Sequence, residues 1–324
     1  MLVMQETLAT IYKLEKLSDT ERFDKAVTEE INFLYDLELT RSQIQKLILS
    51  GNLQVDGKVY NNKTEHPKNY QIIELSIIHE KTDIIPEKID LNIVYEDLDL
   101  LIINKPAGLV VHPGSGNRSG TLLNGLVYYL GEELKLIGDK LRPGIVHRLD
   151  KDTSGLMMVA KNNHSYLELT KQFLPPKTVS RKYLALVNGT VKNDEDIINK
   201  PLGRDPKSRV KIAVVKDGRE AITKYKVLQR FNSSTLLELE LETGRTHQIR
   251  VHLNSIGYPV MNDPLYGAKT ITRSLSKLFE NIPGQLLHAY KLSFLHPTNK
   301  ERVEYITDAP EYFTSLVNHL EDNQ

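Results

Sequence analysis

The chain has 324 residues, 40% apolar and 26% charged, and its 42 Lys and Arg offset 42 Asp and Glu. That size supports a large core, as one domain or one with a small accessory domain, while zero net charge excludes a globally basic nucleic-acid binder and leaves RNA contact to local basic patches. The lack of cysteine excludes disulfides, thiolate nucleophiles and Cys-ligated zinc or iron–sulfur clusters, and with no bilayer-length apolar run and no secretory-type N-terminus the expectation is a cytoplasmic protein that does not contact membranes.

In chain order, Thr10 to Glu15 alternates in polarity and reads as a strand. From Arg22-Phe23-Asp24-Lys25 the pattern turns helical, and Thr40-Arg41-Ser42 opens a second helix through Leu49 that stops at Gly51. Leu53-Gln54-Val55 and Lys58-Val59-Tyr60 flank Asp56-Gly57, a hairpin signal. Helical spacing groups Arg41, Gln45 and Lys46 on a polar face, with Ile44, Leu47 and Ile48 on an apolar one, and an ordinary amphipathic helix accounts for this equally well. Taken with Val55-Asp56-Gly57-Lys58, these runs resemble the S-four RNA-binding module, a family named after a small-subunit ribosomal protein. The resemblance implies that Arg41, Gln45 and Lys46 rest on RNA phosphates. The chain departs from the family at His66-Pro67-Lys68-Asn69-Tyr70, where a Pro-Gly-Asp-type turn is usual.

Residues 78–90 lack a sustained period and read as a linker. Strand signals follow at Ile93-Val94-Tyr95, Leu98 to Asn104 and Gly108 to Val111, punctuated by Lys105-Pro106-Ala107-Gly108. A helix is expected from Thr121 to Leu130, a short strand at Ile145-Val146, another at Leu156 to Ala160, and a helix from Asn163 to Phe173. Further strands are expected at Lys182 to Val187, Thr223 to Leu228, Thr235 to Glu242 and Leu292 to Phe294. With no regular βαβ alternation, this is an α+β fold with a largely antiparallel or mixed sheet.

Two polar clusters stand out. His147-Arg148-Leu149-Asp150 runs into Asp152-Thr153-Ser154-Gly155; an isolated Asp before a turn is most often a cap, but this density of hydrogen-bonding groups exceeds what a turn requires. Thr243-Gly244-Arg245-Thr246-His247-Gln248-Ile249-Arg250 follows an alternating strand, and the apolar neighbours of Arg250, Ile249 and Leu253, suggest an enclosed arginine that needs an acidic partner. Arg181-Lys182-Tyr183 alone is a common edge-strand pattern. The basic groups Lys177-Arg181-Lys182 and Arg204-Lys207-Arg209-Lys211 are candidate RNA contacts, although a charge run is usually a solvated face. Gly114 to Gly120 misses the dinucleotide fingerprint by one residue and lacks a βαβ unit, and the histidines show no paired metal-ligand spacing.

The runs His147-Arg148-Leu149-Asp150 with Thr153-Ser154-Gly155, Lys105-Pro106-Ala107-Gly108, Arg181 to Val187, Thr243 to Leu253, Asp263-Pro264-Leu265-Tyr266-Gly267 and Leu287-His288-Ala289, in family order, resemble the RluA/RluD family of RNA pseudouridine synthases. The resemblance covers Leu91 to Asp308. It implies a central, mostly antiparallel mixed sheet preceded by the small α/β S-four-like module, with an N-terminal extension at 1–20, the module at 21–77, the linker at 78–90 and the catalytic domain at 91–324. It further implies isomerisation of uridine without cofactor or metal, with Asp150 as the nucleophile; both the ribose C1′ and the uracil ring are attack points open to a carboxylate. Arg250 would pair with Asp150, Tyr183 would lie on the uracil and assist removal of the C5 proton, and Arg148 would fill the stack vacated by the flipped base. His147, Thr153, Arg245 and His247 are further expected RNA contacts, and Leu253 an apolar wall of the pocket. Ribosomal RNA, large-subunit RNA above all, is the expected substrate of a monomeric enzyme. Transfer RNA, or a non-catalytic RNA binder of the same fold, is the alternative.

Overall fold

The alternating run near the N-terminus forms β1 (Leu8–Leu14), antiparallel to β4 (Ile73–His79), and β4 pairs on its other side with β2 (Leu53–Val55), which forms a hairpin with β3 (Lys58–Val59). Asp56 and Gly57 turn that hairpin at positive φ, 47° and 78°, the pair of left-handed residues a tight turn of matching twist requires. Helices α1 (Phe23–Tyr35) and α2 (Arg41–Leu49) pack Phe23, Val27, Ile31, Ile44 and Ile48 onto Leu14, Leu53, Ile73 and Leu75. Thr40 starts α2 with a capping box, its hydroxyl accepting the Gln43 N–H at 3.3 Å while the Gln43 side chain accepts the Thr40 N–H at 2.8 Å. Residues 8–14 therefore belong to this sheet, where an extension was expected.

The structure, a computed structural model, describes residues 8–15, 17, 21–35, 39–79, 84–114, 116–206, 208, 211–267 and 282–323. Two compact units, Met1–Asp83 and Ile84–Gln324, meet inside the stretch read as a linker. Lys207 and Arg209 lie outside the described residues. Among those described, no helix is long and apolar enough to cross a membrane.

The second unit is built on β5 (Ile93–Glu96), β6 (Leu100–Lys105), β7 (Ser154–Ala160), β8 (Ser180–Asn188), β9 (Glu195–Asn199), β12 (Ile222–Arg230), β13 (Ser234–Leu241), β14 (Leu287–Leu295) and β15 (Arg302–Ile306). They form one sheet in the order β5-β6-β7-β14-β8-β13-β12-β9, with β15 also on β14. Every pairing is antiparallel except β7 with β14. A separate ribbon joins β10 (Leu202–Arg204) and β11 (Ile212–Val214). Helices α3 (Leu122–Leu130), α4 (Asn163–Lys171), α5 (Gln248–Ser255) and α6 (Glu311–Asp322) complete the unit. β6 and β7 are buried almost throughout and read as continuous apolar runs, whereas β13 alternates, turning Leu237, Leu239 and Leu241 inward.

Two expected strands are absent. Residues 108–111 form no strand because the Val110 and Val111 carbonyls accept the first amides of α3, Leu122 and Leu123, at 2.8 and 3.0 Å, groups a helix cannot satisfy internally. Ile145-Val146 keeps a single bridge, Ile145 to Val159, as the chain leaves the sheet toward Asp150.

Candidate active site

The bend at Asp150 is fixed from below. Thr153 donates its N–H to the Asp150 carbonyl at 3.1 Å, and β7 then begins. Gly155, at φ 119°, lies against β14 so closely that a Cβ there would sit 2.3 Å from the Ala289 carbonyl oxygen. Lys105, 1% exposed at the end of β6, donates Nζ to the carbonyls of Lys151, Pro106 and Leu109 at 2.8, 2.7 and 3.0 Å. Burial pushes its pKa down to about 7 against the pull of Asp150 and Asp152, while three acceptors suit the three N–H groups of the ammonium form.

On this bend the Asp150 side chain keeps 21% exposure, and its Oδ2 accepts from Arg250 Nη1 at 2.8 Å. Its Oδ1 makes no hydrogen bond among the described residues. Arg250, 4% exposed on α5, presents its other edge to Asp263, Nε to Oδ2 at 2.7 Å and Nη2 to Oδ1 at 2.9 Å. Asp263 is fixed in turn by the N–H groups of Leu265 and Tyr266 at 2.9 and 3.0 Å, and the Tyr266 ring lies 5.2 Å from the guanidinium. The Tyr266 hydroxyl accepts the Ile212 N–H at 2.8 Å and lies 2.9 Å from His247 Nδ1. His247 starts α5 in the left-handed region, φ 54°, a conformation costing on the order of 1 kcal/mol for a side-chain-bearing residue.

Burial acts to raise the Asp150 pKa, but His247, Arg250 and Arg148 around it, with the Arg250 hydrogen bond, bring it below the usual carboxylate value. Burial lowers the His247 pKa against the pull of Asp150. Tyr183, 4% exposed on β8, lies within electrostatic reach of Asp150 and of Arg181; burial raises its pKa, Arg181 opposes and Asp150 adds. Arg148 reaches Thr246 Oγ1 at 3.4 Å.

Residues 99–255 match the family model described as RNA pseudouridylate synthase. Over 305 residues the chain is 43% identical to the Bacillus subtilis (strain 168) protein described as uncharacterized RNA pseudouridine synthase YlyB, covering 94% of this chain and 95% of that one. The chain belongs to the RNA pseudouridine synthase family. It is 40% identical over 292 residues to ribosomal large subunit pseudouridine synthase D of Pseudomonas aeruginosa, covering 89% of each. Among solved structures, human RNA pseudouridylate synthase domain containing 4 superposes with a TM-score of 0.55 at 26% identity, over 71% of this chain and 93% of that one. The protein is thus an enzyme that isomerises uridine in RNA.

Within this synthase, Asp150, Arg250, Tyr183, Arg148 and His247 converge. Other expected contacts are engaged within the fold. His147 Nε2 accepts the Met158 N–H at 3.1 Å, its ring packs 5.6 Å from Phe173, and burial, with Arg181, pushes its pKa down to about 3. Buried Thr153 accepts from Gln285 Nε2 at 2.9 Å. Leu253 is wholly enclosed in the main core. Arg245 donates Nε to the Glu220 carbonyl at 3.2 Å, and its N–H to Gln248 Oε1 at 2.9 Å.

In the first unit, buried Asp24 accepts from Arg41 at 2.8 Å, from Gln45, and from Arg22 at 3.3 Å. Burial acts to raise the Asp24 pKa, and these donors hold it at about 2. Arg41 and Gln45 are thereby engaged within the protein, while Lys46 is exposed.

Asp263, Tyr266, Lys105 and Gln248 went unread as site residues. Buried Gln248 links Thr243 Oγ1 and the Arg245 N–H to the Ile222 carbonyl at 2.7, 2.9 and 3.0 Å, holding the Thr243–Arg245 loop to β12. The signal for Asp263 was the arithmetic of Arg250: a guanidinium has five N–H donors, more than one carboxylate engages.

Proposed function

We propose that the protein isomerises uridines in large-subunit ribosomal RNA as a monomer, with Asp150 as the covalent nucleophile. The observation that carries this reading is the Asp150 carboxylate itself: partly exposed, ionised, anchored through Oδ2 by a doubly paired arginine, with Oδ1 left to react.

The reaction breaks the N1–C1′ bond and joins C5 to C1′. An ionised carboxylate forms a covalent adduct, by displacing N1 from C1′ or by adding to the uracil ring, and leaves C1′ as C5 attacks it or leaves the ring once the new bond is made. The C5 proton is then removed, and Tyr183 is the phenol beside Asp150 that can stack on the ring and take part in that transfer. Arg250 holds the carboxylate ionised and aimed. Arg148, adjacent to the carboxylate and planar, occupies the space of the extruded base. The monomer reading is supported by Asp150, Tyr183 and Arg250 all coming from one chain.

The ribosomal substrate is supported by relatives named ribosomal large subunit pseudouridine synthase D, among them those of Pseudomonas aeruginosa and Nitrosomonas europaea. It is supported also by an S-four-like first unit with exposed Lys46, a module suited to a large structured RNA. The test is to incubate the purified protein with transcribed ribosomal and transfer RNAs and map pseudouridine chemically. Product in the large-subunit RNA is expected; product only in transfer RNA would overturn the substrate, and none on any RNA would overturn the activity.

A further inference from the structure

The basic group Lys177, Arg181 and Lys182 divides in the structure. Lys182 is neutralised by Glu238 at 2.9 Å. Arg181 is only 9% exposed, yet no carboxylate among the described residues pairs with it. Its Nη2 donates to the Thr243 carbonyl at 3.3 Å, its Nε is buried without a partner, and Nη1 makes no hydrogen bond among the described residues. The guanidinium carbon lies over the Phe173 ring, 5.1 Å from its centroid. A desolvated guanidinium without a counter-charge is costly, and proteins retain one where an anion completes it.

The surroundings indicate which anion. Arg181 and Tyr183 share one face of β8 as residues i and i+2. Tyr183 feels both Asp150 and Arg181. The guanidinium and the carboxylate thus both act on the Tyr183 phenol, which puts Arg181 in the neighbourhood of the reacting group. Lys177 and Arg245 add positive charge there, with Glu242 and Glu220 acting on Lys177 in the opposite sense. Gly244 is exposed and runs against the guanidinium, where a Cβ would sit 2.9 Å from Nη1, so the absence of a side chain keeps that edge open.

We propose that Arg181 is the centre of an anion subsite that takes a backbone phosphate of the RNA beside the target uridine, with Lys177 at its rim. A planar two-pronged donor matches a phosphodiester. The position beside the target nucleotide rests on Asp150 being the reacting group; the subsite itself does not.

The test measures binding of a single-stranded oligouridylate to the full-length protein across roughly 50 to 200 mM salt. Arg181→Met should weaken binding roughly tenfold and make the slope of log affinity against log salt shallower by about 0.7, the loss of one phosphate contact on a single strand. Arg181→Lys should keep the slope, and Lys182→Met should leave it unchanged. If melting shows that Arg181→Met does not fold, Gly244→Ala, whose methyl displaces Nη1, should give the same loss. An unaltered slope in the folded variant, an equal loss in Lys182→Met, or no oligouridylate binding by the wild type would each overturn the proposal. Lost turnover with an unaltered slope would also overturn it, assigning the guanidinium to the reacting base. A wild type that binds oligouridylate through Arg181 but forms no pseudouridine on any RNA would support the subsite and sink the catalytic reading.

Discussion

Arg250 donates one N–H to Asp150 and two to Asp263, so its orientation is set by the carboxylate that does not react. Replacing Asp263 leaves a buried guanidinium with half its partners. Asp263→Ala should therefore cost about 3 kcal/mol of stability and, by releasing the guanidinium, on the order of a hundredfold in single-turnover rate; a variant that melts and turns over like the wild type would contradict this. His147 acts in the opposite sense. Its pKa in the fold, about 3, and that of buried His288, about 4, lie below the ordinary 6.5. Such groups contribute stability above pH 6.5 that is lost as pH falls toward the folded values. Melting temperature should drop between pH 6.5 and 4, and His147→Gln should flatten the drop; an unchanged profile would argue that the ring is not held neutral. At this scale the sequence was legible for Asp150, Arg250 and Tyr183, whose residue types and neighbours are distinctive. It did not show that His147 and Thr153 bond to Met158 and Gln285, because a crowd of hydrogen-bonding side chains looks alike whatever it faces. Asp263 was hidden because the choice among acidic partners is made by long-range folding.

At the scale of elements, the placement of Asp150 depends on how β7 meets β14. The parallel contact pairs Ser154 with His288 and Gly155 with Ala289, and Ser154 Oγ lies 2.9 Å from His288 Nδ1. Gly155 has both a left-handed backbone and no room for a methyl group. Gly155→Ala should destabilise the second unit by about 3 kcal/mol or more, read from denaturant unfolding; a loss below about 1 kcal/mol would mean the two strands can separate without disturbing the bend. Elements with long periods, α2, α3, α4, β12 and β13, were readable because one face of each is buried along its length. The short β9, β10, β11 and β15 were not, since strands of three to five residues with half-exposed faces carry too little pattern. The apolar pair Ile145-Val146 has strand composition but takes only one bridge, because the chain must turn out of the sheet to present the residues that follow.

At the scale of the whole molecule, equal numbers of basic and acidic residues give no general attraction for RNA. Charge is organised locally: Glu238 and Asp24 neutralise Lys182 and Arg41, while Arg148, Arg181 and Lys177 form no ion pair among the described residues. The reacting group is assembled in the same distributed way. Asp150 stands before β7, Tyr183 lies on β8, Arg250 on α5 and Asp263 beyond it, so the fold of the second unit is what turns an aspartate at a bend into a held, ionised carboxylate. The most direct measurement of that claim is single-turnover pseudouridine formation by Asp150→Asn on large-subunit ribosomal RNA, with RNA affinity and melting temperature recorded alongside. The amide preserves shape but cannot form the adduct, so the rate should fall by on the order of a thousandfold or more while binding and fold persist. A variant that forms pseudouridine at the wild-type rate would contradict the account.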